Sequence, residues 1–276
     1  MELEIIKAIQ SIHNEFFDML FQLITMFGEE VVIIAVLAYI YWNVDKKLGE
    51  LIAYSSFTSL LVNNTIKGLV DAKRPIGEVG IRSLRVETAT GSSFPSGHSQ
   101  GAASFYGTIA MYFKNKSTYI LATIIILLVG ISRLYLGVHW PKDVICGIIF
   151  GLIVSTICYY LFYKVKDKKK LYIITFIVFI PVVVFAGSID LIKGMGTFLG
   201  FIVGVFLEEK YINFTIPTKN NNKIIRILLG LIILITLKTG LKVVFPQHII
   251  FDFIRYAIIG LVAISGCPCL FKKLNI

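Results

Sequence analysis

Apolar residues run through this chain in long blocks, clearest at 31–42, 119–129, 146–162, 171–186 and 224–237. Blocks approaching about 20 residues read as membrane spans, because a helix of that length crosses the hydrocarbon core with its backbone hydrogen bonds satisfied internally. Scanning the apolar runs predicts about nine spans. They lie near 30–44, 47–68, 98–113, 118–137, 143–163, 171–187, 194–207, 224–241 and 249–265, with 194–207 short enough to be re-entrant instead. The fold class this predicts is all-α, a polytopic membrane helical bundle. Residues 1–27 differ. Ile5, Ile6, Ile9, Ile12, Phe16 and Phe17 recur at helical spacing among Glu2, Glu4, Lys7, Gln10, His13, Asn14, Glu15 and Asp18. That pattern predicts an amphipathic helix lying in the membrane interface, neither a span nor a cleavable leader.

Composition agrees with the pattern. The 276 residues are 56% hydrophobic with glycine left out, and the mean hydropathy is +0.79; soluble domains are about 45–50% apolar even with glycine counted. The net charge of +10 does not point to nucleic acid. The lysines sit in short loops between apolar blocks, at Lys46 and Lys47, Lys114 and Lys116, 164–170, Lys210, Lys219, Lys223, Lys272 and Lys273. The positive-inside rule places these loops in the cytoplasm. The opposite, outer side then holds Glu29 and Glu30, the 69–97 loop, the 138–142 turn and the N-terminal helix.

The chain divides at the lysine cluster 164–170, which separates a core over 28–163 from a C-terminal extension over 164–276. In the extension Gly196, Gly200 and Gly204 repeat every four residues, as Gly147 and Gly151 do in the core. Small residues at this spacing let helices approach closely, within one subunit or across a homodimer seam. Cys146, Cys158, Cys267 and Cys269 make no disulfide framework, and one close pair without a second is weak evidence for metal.

The outer side carries the chemistry. Lys67, Arg74, Ser96 and His98 flank or lie in the 69–97 loop, and Arg133, His139 and Asp143 surround the next outer turn. Ionisable groups at membrane depth are functional candidates by default. Singly each has a plain alternative: Lys67 snorkelling, Arg74 an ordinary loop charge, His98 a surface residue, Arg133 and His139 helix-end anchors, Asp143 a helix N-terminal charge. His13 and His248 read as interface or structural residues. Asp252 and Arg255, three apart, read as a helical pair.

Together the spacings form a pattern. Lys67, six residues, then Arg74-Pro75; Pro95-Ser96-Gly97-His98; Ser132-Arg133, five residues, His139, three residues, Asp143. This resembles the three-part signature of the type 2 phosphatidic acid phosphatase (PAP2) superfamily, over roughly 28–163. The resemblance implies a PAP2-like core of about five spans, with about four more in the extension. It implies His139 as nucleophile, Asp143 as its orienting partner and His98 as the acid that protonates the leaving oxygen. It also implies Lys67, Arg74 and Arg133 as phosphate-binding cations, with Ser96 and Gly97 as hydroxyl and backbone donors.

Phosphoryl transfer is dominated by positioning and electrostatic stabilisation, and paired arginine forks with a lysine point charge suit a phosphate. The expected activity is therefore a membrane lipid phosphatase working through a phosphohistidine, with no metal and no cofactor. Undecaprenyl diphosphate, phosphatidic acid, phosphatidylglycerophosphate and sphingoid phosphate are all candidate substrates, the first preferred for a bacterial plasma membrane with an outward-facing site. A phosphotransferase, or a transporter built on an inert phosphatase core, are the alternatives.

Overall fold

The computed structural model describes residues 1–217 and 219–276. Twelve α-helices follow one another among these residues: α1 Glu2–Gln10, α2 Glu15–Met26, α3 Glu30–Asn43, α4 Lys46–Val70, α5 Gly97–Phe113, α6 Lys116–Tyr135, α7 Pro141–Lys164, α8 Lys168–Ala186, α9 Ile189–Leu207, α10 Asn220–Val244, α11 Ile249–Leu261 and α12 Cys267–Lys273. Side-chain caps open several of them. Asn14, Ser96, Asn115, Asp167 and Ser188 each accept a backbone N–H three residues on, at the starts of α2, α5, α6, α8 and α9. Such caps satisfy donors that a helix start leaves orphaned. Short π-helical stretches, Glu208–Ile212 and Val262–Gly266, follow α9 and α11.

Six helical stretches are long and apolar enough to cross a membrane: α6, α7, α8, α9 with its π turn, α10, and α11 through α12. The break before α3 bends it 48° from α2, and the two together also qualify. Two expected spans are not in this set. The helix at 98–113 is α5, with 17 residues. The helix at 47–68 is α4, which buries Ser55, Ser59, Asn63 and Asn64 along its length. The stretch thought short enough to be re-entrant is a full helix, α9.

Two compact units divide the chain. The first comprises Met1–Ile33 and Thr58–Tyr160. Here the expectation of a single interfacial helix over 1–27 is corrected: the segment breaks at residues 11–14 into α1 and α2. Much of its apolar face packs on protein. Phe21 stacks on Tyr135 at 4.2 Å, within a cluster of Ala89, Leu136 and Val138 that Ile9, Phe17 and Ile24 extend. An amphipathic pattern needs an apolar surface to lie on; the 71–96 loop and the end of α6 supply one.

The second unit comprises Ile34–Phe57 and Leu161–Ile276. Its centre is the α9–α11 pair. A Cβ on Gly200 would lie 2.1 Å from the Ala257 carbonyl oxygen, and one on Gly196 2.3 Å from that of Phe253. The glycine face of α9 is therefore packed closely against α11 and the turn after it within the chain. Gly147 and Gly151 are likewise spent against the start of α5. Arg226 donates to the Trp42 carbonyl at 2.8 Å. Asp252 and Arg255 form the expected pair at 2.5 Å.

Candidate active site

In the first unit, the ends of α4 and α6 meet the starts of α5 and α7. All eight expected site residues gather there. Lys67 lies in the last turn of α4; Ser96 caps α5, and Gly97 and His98 open it; Arg133 lies in the last turn of α6; Asp143 lies in the first turn of α7. Buried polar pairs join the elements. Asn63 on α4 donates to Gln100 on α5 at 2.8 Å, and the Ser96 N–H donates to the Asp143 carbonyl at 2.9 Å. Buried amides bonded this way fix helix register, since an unpaired one would carry a desolvation penalty.

His139 sits in the α6–α7 turn, 2% exposed, with Asp143 fully buried four residues on. The Asp143 carboxylate is fixed before the imidazole uses it. Its Oδ2 accepts from Ser93 Oγ at 2.5 Å and from the Trp140 N–H at 2.9 Å, and stands 3.5 Å from His139 Nδ1. The far ring nitrogen, Nε2, is 3.0 Å from Arg74 Nη1. A guanidinium can only donate, so Nε2 accepts and the proton of the neutral ring rests on Nδ1, facing Asp143. Burial holds the imidazole pKa well below its usual range, and the charges of Arg74, Arg133 and Lys67 push it the same way. Both causes favour the neutral ring, with its lone pair on Nε2.

The two arginines differ. Arg74 donates from Nε to Gly91 O at 3.1 Å, from Nη1 to Val138 O at 2.9 Å and to His139, and from Nη2 to Thr90 O at 2.7 Å and Ser92 O at 3.3 Å. All five donors are engaged, so the expected phosphate fork is closed here: Arg74 ties down the loop and aims His139. Arg133 is fully buried and is engaged through Nη1, which donates to Thr25 Oγ1 at 2.7 Å. Its Nε and Nη2, like His98 Nε2, are buried without a protein partner. Burial, followed by the charges of Arg133 and Lys67, holds the His98 pKa well below its usual range. The Lys67 ammonium is 4.0 Å from where a Gly97 Cβ would be. Ser96 Oγ accepts from the Ser99 hydroxyl at 2.9 Å besides capping the helix. A cleft of about 510 Å³, lined by Asp71, Lys73, Arg74, Gly91 and Ser92 among others, opens beside Arg74.

His98 Nε2 and the Nε–Nη2 edge of Arg133, buried without a protein partner, are groups able to bind an anion, and a guanidinium edge matches two oxygens. Residues 49–167 match the PAP2 superfamily, and residues 192–276 match the PAP2 superfamily phosphatase transmembrane extension. The chain belongs to the PAP2 superfamily. Its PAP2 relatives include phosphatidylglycerophosphatase B of Bacillus subtilis (strain 168), 38% identical over 123 residues, which are 41% of this chain and 54% of that protein. The match thus spans about half the length of that relative. Undecaprenyl-diphosphatase BcrC of the same organism is 29% identical over 174 residues, 62% of this chain and 86% of that protein. The crystal structure of a transmembrane PAP2-type phosphatidylglycerolphosphate phosphatase from Bacillus subtilis superposes with a TM-score of 0.52 at 29% identity, covering 60% of this chain and 86% of that one. This PAP2 chain is an integral membrane protein, with its matched extension supplying further spanning helices.

Sequence reasoning missed several polar partners. Asn63 and Gln100 carried a usable signal: amides within predicted spans, where an unsatisfied polar group is disfavoured. Ser93 and Thr25 carried none, being small hydroxyls in stretches with no periodic demand for them. His13 and His248 are structural, as expected; His13 bonds the Gln10 carbonyl at 3.0 Å, and His248 accepts from the Ile250 N–H at 3.3 Å. Among the described residues no group of three or more His, Cys, Asp or Glu is placed to hold a metal ion.

Proposed function

We propose that this chain is a lipid phosphate phosphatase that works through a phosphohistidine on His139. The observation that carries the reading is the setting of His139: its Nδ1 stands 3.5 Å from Asp143, its Nε2 meets Arg74 Nη1 at 3.0 Å, and the Arg133 charge lies near enough to act on the ring. Substrate phosphate displaces the Arg74 Nη1–His139 contact, and Nε2 attacks phosphorus. The ester P–O bond breaks as the leaving oxygen takes a proton from His98; burial and the cations Arg133 and Lys67 disfavour that charged form in the empty pocket, and the substrate's own negative charge offsets them. Asp143 stabilises the cationic ring that forms, as the carboxylate does in a serine-protease triad. Water then attacks the P–N bond, His98 takes its proton, and inorganic phosphate leaves. Lys67, Arg74 and Arg133 balance the charge spread over the equatorial oxygens, and Ser96 and Gly97 border the same anion. No step calls for a metal ion.

The lysine loops support an outward-facing site, with headgroups reaching it from the outer leaflet. The printed names of the two Bacillus relatives make phosphatidylglycerophosphate and undecaprenyl diphosphate the first substrates to try.

The test is phosphate release by purified protein from a panel of lipid phosphates and diphosphates. His139→Ala and Asp143→Asn are expected to lower kcat by about 10⁴-fold or more, as loss of tautomer control does in triads, with membrane insertion unchanged. Vanadate, which can take five ligands, is expected to inhibit, and chelators to have no effect. Full activity in His139→Ala, or loss in chelator restored by magnesium, overturns the reading. Phosphate passed from labelled donor to an acceptor lipid without free phosphate assigns a transferase instead.

A further inference from the structure

Arg133 has one edge free and the other held, and what holds it comes from outside the residues matching the PAP2 superfamily. Thr25, in the last turn of α2, is fully buried, as is Arg133. Its hydroxyl accepts from Arg133 Nη1 at 2.7 Å. We infer that Thr25 is a positioning residue for the reaction: it fixes the rotation of the Arg133 guanidinium so that the Nε–Nη2 edge is presented to two phosphate oxygens. This inference rests on Arg133 being a phosphate ligand.

A guanidinium is planar and can offer more than one edge to an anion. With Nη1 anchored, the edge left over is Nε–Nη2, and those are the two nitrogens that are buried without a protein partner. A lone Arg at a helix end could turn about its last torsions and meet phosphate with a single N–H. The anchor removes that freedom, so the fork is formed before the anion arrives.

The anchor is itself fixed. Asp18, two turns earlier on α2, pairs with Arg82 at 2.6 Å and accepts from the Tyr135 hydroxyl at 2.6 Å. Gln22 accepts from Arg85 Nη1 through its carbonyl at 3.1 Å. Past the end of α2, a Cβ on Gly28 would stand 3.0 Å from the His98 carbonyl oxygen and 2.7 Å from Val129. α2 is thus pinned to the 71–96 loop, to the end of α6 and to the start of α5. A hydroxyl this deep also requires a partner of its own, and Arg133 supplies it.

Thr25→Val keeps the shape and removes the acceptor; Thr25→Ser keeps the acceptor and drops a methyl group. With full-length purified protein, kcat/KM for lipid phosphate and equilibrium affinity for vanadate are measured together with the thermal midpoint. Thr25→Val is expected to lower both kcat/KM and vanadate affinity by roughly 10- to 100-fold, the range for losing a hydrogen bond to a charged group. Thr25→Ser is expected to restore them to within a few-fold of the parent. In an Arg133→Lys background, where no Nη1 exists, Thr25→Val is expected to change nothing further. Thr25→Ala serves the same comparison if the valine variant does not fold.

Unchanged kinetics and vanadate affinity in Thr25→Val, while Arg133→Lys lowers both, overturns the inference and leaves the function standing. An equal loss from Thr25→Val with and without Arg133→Lys assigns Thr25 a general packing role and overturns it too. Absence of vanadate binding and of phosphate release in the parent overturns the reading on which it rests.

Discussion

Arg74 and His139 constrain each other in a way that pH can report. Nη1 of Arg74 caps the imidazole Nε2 at 3.0 Å, and its charge, after burial, is the next largest cause of the depressed imidazole pKa. Protonating His139 in the free enzyme places a second cation against Arg74 in a buried site. The neutral, nucleophilic form therefore persists as pH falls below the ordinary imidazole range near 6.5, and the acid limb of kcat/KM for this group lies well below it. Removing the Arg74 charge removes a repulsion that opposes protonation. The His139 pKa then rises, and the neutral fraction falls at a given acid pH. Arg74→Met is expected to move the acid limb of kcat/KM to higher pH besides lowering its plateau. Arg74→Lys keeps the charge but not the loop bonds, so it is expected to lower the plateau and leave the limb near its parental position. Acid limbs that coincide in all three proteins would remove Arg74 as the electrostatic control of His139.

The helices that carry these residues approach each other more closely than most side chains allow. A Cβ on Gly151 of α7 would lie 2.4 Å from the Gln100 carbonyl oxygen and 2.7 Å from Ala103 Cβ on α5, whereas one on Gly240 of α10 meets nothing within 4 Å. Gly151→Val must push α7 off α5, and with it separate Asp143 from Ser96 and His139 from His98. It is expected to lose at least the ~1–3 kcal/mol typical of an overpacked core, read as a lowered thermal midpoint, together with phosphatase activity; Gly240→Val is expected to keep both. The glycine spacing on α7 was visible in the sequence because it depends only on helical periodicity, whereas the pairing of His139 with Asp143 was legible through the family resemblance, since His139 sits in the turn before α7. The N-terminal helices were not legible in the same way. Ile9, Phe17 and Phe21 form an apolar stripe that suits a lipid surface or a protein surface equally, and only the folded 71–96 loop decides between them. The closed fork of Arg74 was invisible for a related reason. The carbonyls of Thr90, Gly91, Ser92 and Val138 that occupy it are backbone groups, so no residue type announces them.

The proposed orientation of the whole molecule can be tested through α7, which runs from the site toward the largest lysine cluster. Its 24 residues span ~36 Å at the α-helical rise, enough to cross the hydrocarbon core, so the proposal puts His139 before it and 164–170 after it on opposite membrane faces. The same holds for α6, which runs from Lys116 to Arg133 and Tyr135. On that proposal, lysine retention in the cytoplasm puts the 71–96 loop outside. Glu78 and Lys166 are both exposed, and the proposed orientation assigns them to opposite membrane faces. In a background with Cys146, Cys158, Cys267 and Cys269 replaced, Glu78→Cys is expected to react with a membrane-impermeant maleimide in intact cells, and Lys166→Cys only after permeabilisation. The reverse pattern would turn the pocket to the cytoplasm. The enzyme would then draw on newly made lipid phosphates of the inner leaflet, while the chemistry at His139 would be unaltered. Accessibility at these two positions therefore separates where the substrate comes from from how it is cleaved, and the two can fail independently.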